Sequence, residues 1–161
     1  MWAACSRPVV MPEVGTLLGI DYGKRCTGVA IAHPLTGSAR PLAPLHANSD
    51  EARLTALCQV IKEWKPSQVI IGLPLSASGD ETELSRAVRA FAGRLQQQVP
   101  ETPIDFQDER LTSVGAAERH AERRQQGRAR QRDARQLDSV AASLILESWM
   151  REQSRRPTHE T

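Results

Sequence analysis

Cysteine, aromatic residues and long apolar runs are all scarce in this chain of 161 residues. Its three cysteines, Cys5, Cys26 and Cys58, are odd in number and widely spaced, which argues against a disulfide framework and a CxxC metal site. No apolar run approaches the roughly 20 residues that a membrane helix needs. The N-terminal stretch lacks the basic start and long apolar centre of a secretory signal. We therefore expect a cytoplasmic protein with free thiols and no membrane partner.

Basic residues are concentrated in one stretch, although the formal net charge of the whole chain is only +2. Residues 118–135 contain seven arginines and three acids. The hydrophobic content of 40% and the charged content of 25% are ordinary for a single globular domain. We expect a flexible extension over residues 1–15, one domain over residues 16–152 and a polar tail over residues 153–161.

The apolar pattern predicts a group of strands, followed by alternating helices and strands. Three short strands are predicted over residues 17–21, 27–32 and 39–45, and the third is an edge strand because Pro41 and Pro44 cannot donate to a ladder. Helices are predicted over residues 50–64, 82–98, 113–124 and 137–152. A buried strand is predicted over residues 68–72 and a further strand over residues 103–108. This order predicts an α/β fold with helices on both faces of a mixed five-stranded sheet, in which three antiparallel strands precede two parallel ones.

Three carboxylates fall at element boundaries that face one end of this sheet. Asp21 ends the first strand, Glu109 follows the last strand, and Asp138 opens the last helix. Open α/β sheets bind ligands at the carboxyl ends of their strands, and carboxylate oxygens are ligands that Mg²⁺ and Mn²⁺ accept. We predict that the three acids together hold divalent ions and that the chain cleaves a nucleic-acid phosphodiester.

Each of these acids also has a purely structural interpretation. Asp21 suits a turn in which the side chain bonds its own backbone. Glu109 suits a surface ion pair with Arg110, and Asp138 suits a cap on the last helix. Only the convergence of all three acids favours a metal site.

The arginine-rich stretch has two interpretations as well. A run of charge is usually a solvated helix face, but arginines without aromatic partners suit the phosphates of a nucleic-acid backbone. We predict that basic residues hold a nucleic-acid strand across the acids, with binding that weakens steeply as salt is added. These residues are Lys24, Arg25, Arg40, Arg110, Arg123, Arg124, Arg128, Arg130, Arg132 and Arg135.

Five segments of the chain resemble one protein family in both order and spacing. They are GIDYGKRCTGVAIA, TGSARPL, VIIGLPLSASGDE, DERLTS and LDSVAASLILES. In these segments the chain resembles the RuvX or YqgF family of pre-16S ribosomal RNA nucleases, which are similar to Holliday junction resolvases. The resemblance implies a ribonuclease H-like fold and a metal-dependent nuclease. It also implies that Asp21, Glu109 and Asp138 are the catalytic and metal-binding acids.

A few residues depart from the pattern of that family. Lys24 stands where a small hydroxyl residue is usual, Ser76 replaces a common Asn, and residues 134–136 replace a lysine-rich approach to the last acid. These departures concern the phosphate contacts and leave the three acids intact.

The resemblance implies precursor rRNA as the partner. A ribosomal particle is a further candidate partner, and both a monomer and a homodimer stay open. Other functions stay open on the sequence. One is a Holliday junction resolvase that cuts DNA, and another is a non-catalytic module that binds RNA or the ribosome. A third is one lobe of an ATPase or sugar kinase, but those proteins need two lobes around the nucleotide, and this chain is long enough for one.

Overall fold

A computed structural model describes residues 15–23, 26–109 and 131–156 of the chain, with side chains from residue 139 onward in the last range. The strands in these ranges are β1 (Leu17–Asp21), β2 (Cys26–Ala32), β3 (Ala39–Pro41), β4 (Leu45–His46), β5 (Gln68–Leu73) and β6 (Ile104–Asp108). The helices are α1 (Asp50–Trp64), α2 (Glu83–Gln98) and α3 (Gln131–Arg155). None of these described helices is long and apolar enough to cross a membrane. The helix predicted over residues 113–124 lies outside the described ranges.

The strands form one mixed sheet in the order β3-β2-β1-β5-β6, with β4 paired to β2. β2 runs antiparallel to β1 and to β3, whereas β5 runs parallel to β1 and to β6. The edge position predicted for β3 is confirmed. The single strand predicted over residues 39–45 is instead two short strands, so the described part of the sheet has six strands. Pro44 has no N–H group for a continuous ladder, which explains the interruption.

Helices cover both faces of the sheet, as the sequence predicts. On one face α1 and α2 bury Leu57 and Phe91 against strand residues that include Ile20. On the other face α3 buries Ile145 in a second core with Leu17. Successive residues of a strand point to opposite faces, so the side-chain direction of every β1 residue follows from these two cores.

The first two helices begin at capping residues. Ser49 Oγ accepts a hydrogen bond from the backbone N–H of Ala52 at 3.2 Å, which caps α1. Thr82 and Ser85 form a reciprocal capping box at the start of α2. These caps satisfy N–H groups that the first helical turn leaves without partners.

The last helix is longer than predicted. The sequence predicts a helix over residues 137–152, whereas α3 spans Gln131–Arg155. Asp138 therefore lies inside the helix, and the prediction that it opens the helix is wrong. Arg, Gln and Ala are strong helix formers and continue the helix toward the N-terminus. The apolar pattern marks only the part of the helix that packs on the sheet.

Candidate active site

Two of the predicted acids lie at the carboxyl end of the parallel strands. Asp21 is the last residue of β1, and Asp108 is the last residue of β6. Glu109 follows directly, and its backbone N–H donates to the carbonyl oxygen of Leu73, the last residue of β5, at 3.1 Å. Three adjacent parallel strands thus bring Asp21 and Glu109 to the same edge.

Gly72 makes room for a contact between these two acids. Asp21 and Gly72 directly follow the paired residues Ile20 and Ile71, so they are neighbours across the β1–β5 ladder. A Cβ atom at Gly72 would lie 2.3 Å from Glu109 Oε1, which means that the Glu109 carboxylate lies over this glycine. From there Glu109 forms a hydrogen bond with Asp21. Gly72 is not among the site residues predicted from the sequence, where its one signal is a glycine near the end of an otherwise apolar strand.

Both carboxylates lie on the face of the sheet that α3 covers. Ile20 points to the core beneath α1 and α2, so the alternation along β1 turns Asp21 to the opposite face. The Cβ position at Gly72 is also only 2.4 Å from Ile145 Cδ1 of α3. The acid pair therefore lies between the edge of the sheet and the last helix.

Burial raises the pKa of the Glu109 carboxyl above its ordinary value of 4.5, and the negative charge of Asp108 raises this pKa further. The hydrogen bond with Asp21 acts in the opposite direction. Two carboxyl groups in such contact need a shared proton or a cation between them. The folded chain holds the Glu109 proton more tightly than the unfolded chain does. This group therefore makes the free energy of unfolding fall as pH rises through the raised pKa.

Asp138 belongs to α3, in which the side chains are described from Ser139 onward. Ser139 Oγ accepts a hydrogen bond from the backbone N–H of Val29 at 3.3 Å. Val29 is adjacent to Gly28, the partner of Asp21 in the β1–β2 register. The backbone of α3 therefore passes beside the end of the sheet that carries Asp21. The Asp138 side chain lies outside the described part, so its place in the acid cluster stays a prediction.

Most of the predicted phosphate-binding residues lie outside the described part of the chain, namely Lys24, Arg25, Arg110, Arg123, Arg124, Arg128 and Arg130. Arg132 and Arg135 belong to α3, at positions whose side chains are not described. Arg40 is exposed on β3, with Cζ 5.8 Å from the ring centroid of Trp64. Its register through β2 places it level with Leu18, which is about 10 Å along the strand direction from Asp21.

The donor set of the acid pair suits a hard divalent cation. Among the side chains that the structure describes, no three His, Cys, Asp or Glu residues form a group that could hold a metal ion. Asp21 and Glu109 nevertheless supply two adjacent carboxylates. Mg²⁺ is often bound through only one or two carboxylates, because it keeps several water ligands. Mn²⁺ accepts the same oxygen donors.

Comparison with known proteins identifies close sequence relatives. The family model described as "RuvX: Holliday junction resolvase" matches residues 15–152. A "Putative pre-16S rRNA nuclease" from Dechloromonas aromatica (strain RCB) is 40% identical over 136 residues, which cover 84% of this chain and 90% of the relative. A protein of the same name from Aeromonas salmonicida (strain A449) is 39% identical over 138 residues, which cover 86% of this chain and 96% of the relative.

Comparison with solved structures concerns the fold. Thermus thermophilus RuvC in complex with a Holliday junction substrate matches with a TM-score of 0.56 at 13% sequence identity, covering 87% of this chain and 96% of RuvC. This likeness confirms the predicted ribonuclease H-like fold. The sequence relatives and the family model cover most of the chain. The chain therefore belongs to the RuvX family.

Proposed function

We propose that this chain is a nuclease that depends on a divalent cation and cleaves precursor 16S rRNA during maturation of its 5′ end. The observation that carries the proposal is the contact between Asp21 and Glu109 at the carboxyl edge of the parallel strands. Relatives with 40% and 39% identity bear the name of pre-16S rRNA nucleases, which supports the choice of substrate.

Asp21, Glu109 and Asp138 are the residues that would hold Mg²⁺ or Mn²⁺. Asp21 and Glu109 offer oxygen donors that meet across β5, and that donor set fits these ions. A divalent cation bound there supplies a Lewis acid, which lowers the pKa of water and offsets negative charge on phosphate oxygens. The burial that raises the pKa of Glu109 also favours a cation as the counter-charge of the pair.

The sheet holds both carboxylates in place before substrate arrives. Asp21 pairs with Gly28 at the end of the β1–β2 ladder, and Glu109 is fixed by its backbone hydrogen bond to Leu73. Groups placed on rigid elements need little reorganisation during reaction. Cleavage adds one water across the P–O3′ bond, so that the water oxygen joins phosphorus and a proton ends on the 3′ oxygen. The products are a 5′-phosphate and a 3′-hydroxyl.

The basic residues named above would hold the phosphates on either side of the cleaved bond. Arginine suits this role because its planar guanidinium donates two parallel hydrogen bonds to a phosphate. Arg40 is in register with Leu18 and lies beside Trp64, so it shares the face of the sheet that α1 covers. Asp21 points to the α3 face, so Arg40 is not expected to contact these phosphates. The proposal includes a ribosomal particle as a further partner, a cytoplasmic location, and either a monomer or a homodimer.

Cleavage of a Holliday junction is the second candidate function. It is favoured by the description of the matching family model and by the fold shared with RuvC. Symmetrical cleavage of a four-way junction needs two equivalent active sites, which a two-fold dimer provides. A monomer without preference for a junction over linear nucleic acid would exclude this candidate.

The test is a cleavage assay on labelled precursor rRNA and on a labelled four-way DNA junction, each with and without Mn²⁺. We expect cleavage of the rRNA that requires Mn²⁺ and is abolished by Asp21→Asn, while the melting temperature stays nearly unchanged. Glu63→Gln is the control, because Glu63 is an exposed acid on α1 and its loss leaves cleavage intact. Cleavage by Asp21→Asn at the wild-type rate, or cleavage without a divalent cation, would contradict the proposal.

A further inference from the structure

Arg53 is a charged residue that lies in the hydrophobic core. It belongs to the first turn of α1, and its side chain is only 2% exposed. It lies four residues before the buried Leu57, and this spacing puts both on the inner face of the helix. Burial of a guanidinium carries a large desolvation penalty, and apolar residues of similar volume often stabilise a core as well or better. Stability alone therefore does not explain an arginine at this position.

The Arg53 guanidinium is bonded to both sides of the turn between β1 and β2. Nη2 donates to the carbonyl oxygen of Gly23 at 2.7 Å, and Nε donates to Thr27 Oγ1 at 2.9 Å. Nη1 donates to Asp50 Oδ1 within the same helix. Gly23 follows the end of β1 and Thr27 belongs to the start of β2, so a single side chain joins the ends of the two strands.

Tyr22, which directly follows Asp21, belongs to the same network. Arg53 Cζ lies 4.6 Å from the centroid of the Tyr22 ring, which is a cation–π distance. Tyr22 Oη donates to Asp50 Oδ1 at 2.9 Å, and its ring centroid is 5.1 Å from that of Phe91. Tyr22 packs against the core beneath α1 and α2, whereas Asp21 points to the α3 face. The network therefore holds the backbone of the site from the opposite face of the sheet.

We propose that Arg53 is a positioning residue that clamps the β1–β2 turn and thereby fixes the Asp21 carboxylate for cation binding. This inference rests on the proposed function of Asp21. Binding groups must keep their productive position to within about 0.5 Å. Removal of a group that orients a metal ligand weakens metal affinity by about 10-fold to 100-fold.

The test compares Arg53→Met and Arg53→Lys with the wild-type chain. Calorimetric titration measures Mn²⁺ affinity without nucleic acid, and hydrogen exchange followed by mass spectrometry measures the order of residues 21–29. We expect Arg53→Met to weaken Mn²⁺ binding by about tenfold or more, to speed exchange in this segment, and to lower kcat more than it raises KM. Arg53→Lys restores part of each property, because an ammonium keeps the charge but lacks the fork that spans both acceptors.

Leu57→Ala is the control for a general loss of stability. Leu57 is fully buried on the same helix, so the change leaves a cavity and lowers the melting temperature. We expect its Mn²⁺ affinity to equal that of the wild-type chain. An equal loss of affinity in Leu57→Ala and Arg53→Met would overturn the proposal.

A folded Arg53→Met variant with wild-type Mn²⁺ affinity and wild-type exchange would also overturn it. If Arg53→Met does not fold, Thr27→Val removes one acceptor of the guanidinium with little change in shape. That variant is expected to show smaller changes in the same direction. Wild-type Mn²⁺ affinity together with wild-type hydrogen exchange in Thr27→Val would overturn the proposal. If the wild-type chain itself binds no Mn²⁺, the proposed function fails instead, and hydrogen exchange alone decides whether Arg53 holds the turn.

Discussion

Replacement of Gly72 by alanine adds one methyl group at the place where the two acids meet. The new Cβ would lie 2.3 Å from Glu109 Oε1 and 2.4 Å from Ile145 Cδ1, whereas ordinary contacts begin at 3.4 Å. Both neighbours are the ends of side chains, so each can retreat by the required distance of about 1 Å at a stability cost of about 1–3 kcal/mol. Misplacement of a catalytic group by about 1 Å costs about 100-fold in rate.

We therefore expect Gly72→Ala to fold with a melting temperature lowered by several degrees, and to lose about 100-fold in Mn²⁺-dependent cleavage. Cleavage is measured on labelled precursor rRNA at a temperature well below the unfolding transition of both proteins. Gly93→Ala is the matched control, because a Cβ at this helical position meets no heavy atom within 4 Å. Wild-type cleavage by a folded Gly72→Ala variant would refute the argument that the position of Glu109 over Gly72 serves catalysis.

Three further substitutions have expected outcomes. Glu109→Gln abolishes cleavage but raises the melting temperature of the metal-free chain at neutral pH. The reason is that it removes the carboxyl whose raised pKa makes stability fall as pH rises. If the melting temperature of the variant fell with rising pH as steeply as that of the wild-type chain, this expectation would be contradicted. Gly93→Ala raises the free energy of unfolding in urea by about 0.5–1 kcal/mol, and a lower midpoint would contradict that expectation. Gly19→Ala lowers stability by more than Gly72→Ala does, because its Cβ would lie 2.8 Å from the backbone oxygen of Ala142. If urea unfolding showed an equal or smaller loss of unfolding free energy for Gly19→Ala, this expectation would be wrong and α3 would shift easily.

The meeting of Asp21 and Glu109 was predictable because it follows from local patterns and one topological rule. Asp21 ends an apolar run that is long enough for one strand, and Glu109 follows the short segment Ile104–Asp108, which forms the last strand. Parallel strands joined by helical crossovers end at the same edge of the sheet. The sequence therefore predicts the edge and the two acids without any knowledge of side-chain contacts.

The start of the last helix was not predictable from the same pattern. Apolar spacing detects only the residues that pack on the sheet, and in α3 these include Ala142 and Ile145. Residues 131–136 are helical without an apolar stripe, so helix propensity alone carries them. Asp138 is therefore predicted to open the helix but lies inside it in the structure.

The contacts of Gly72 and Arg53 depend on placement in three dimensions. The importance of Gly72 comes from a carboxylate that reaches over it from the neighbouring strand, and no local rule predicts that reach. The position of Arg53 in the sequence is only a weak sign of its role, because a charged residue four positions before Leu57 falls on the inner face of α1. Its partners Gly23 and Thr27 are known only once α1 lies against the sheet.

The most direct test of the metal site is the location of Mn²⁺ in crystals of the full chain, determined from its anomalous scattering. We expect a peak about 2–2.5 Å from carboxylate oxygens of both Asp21 and Glu109, with the hydrogen bond between the two acids replaced by the ion. Mn²⁺ bound elsewhere, with Asp21 and Glu109 still hydrogen-bonded to each other, would contradict this expectation.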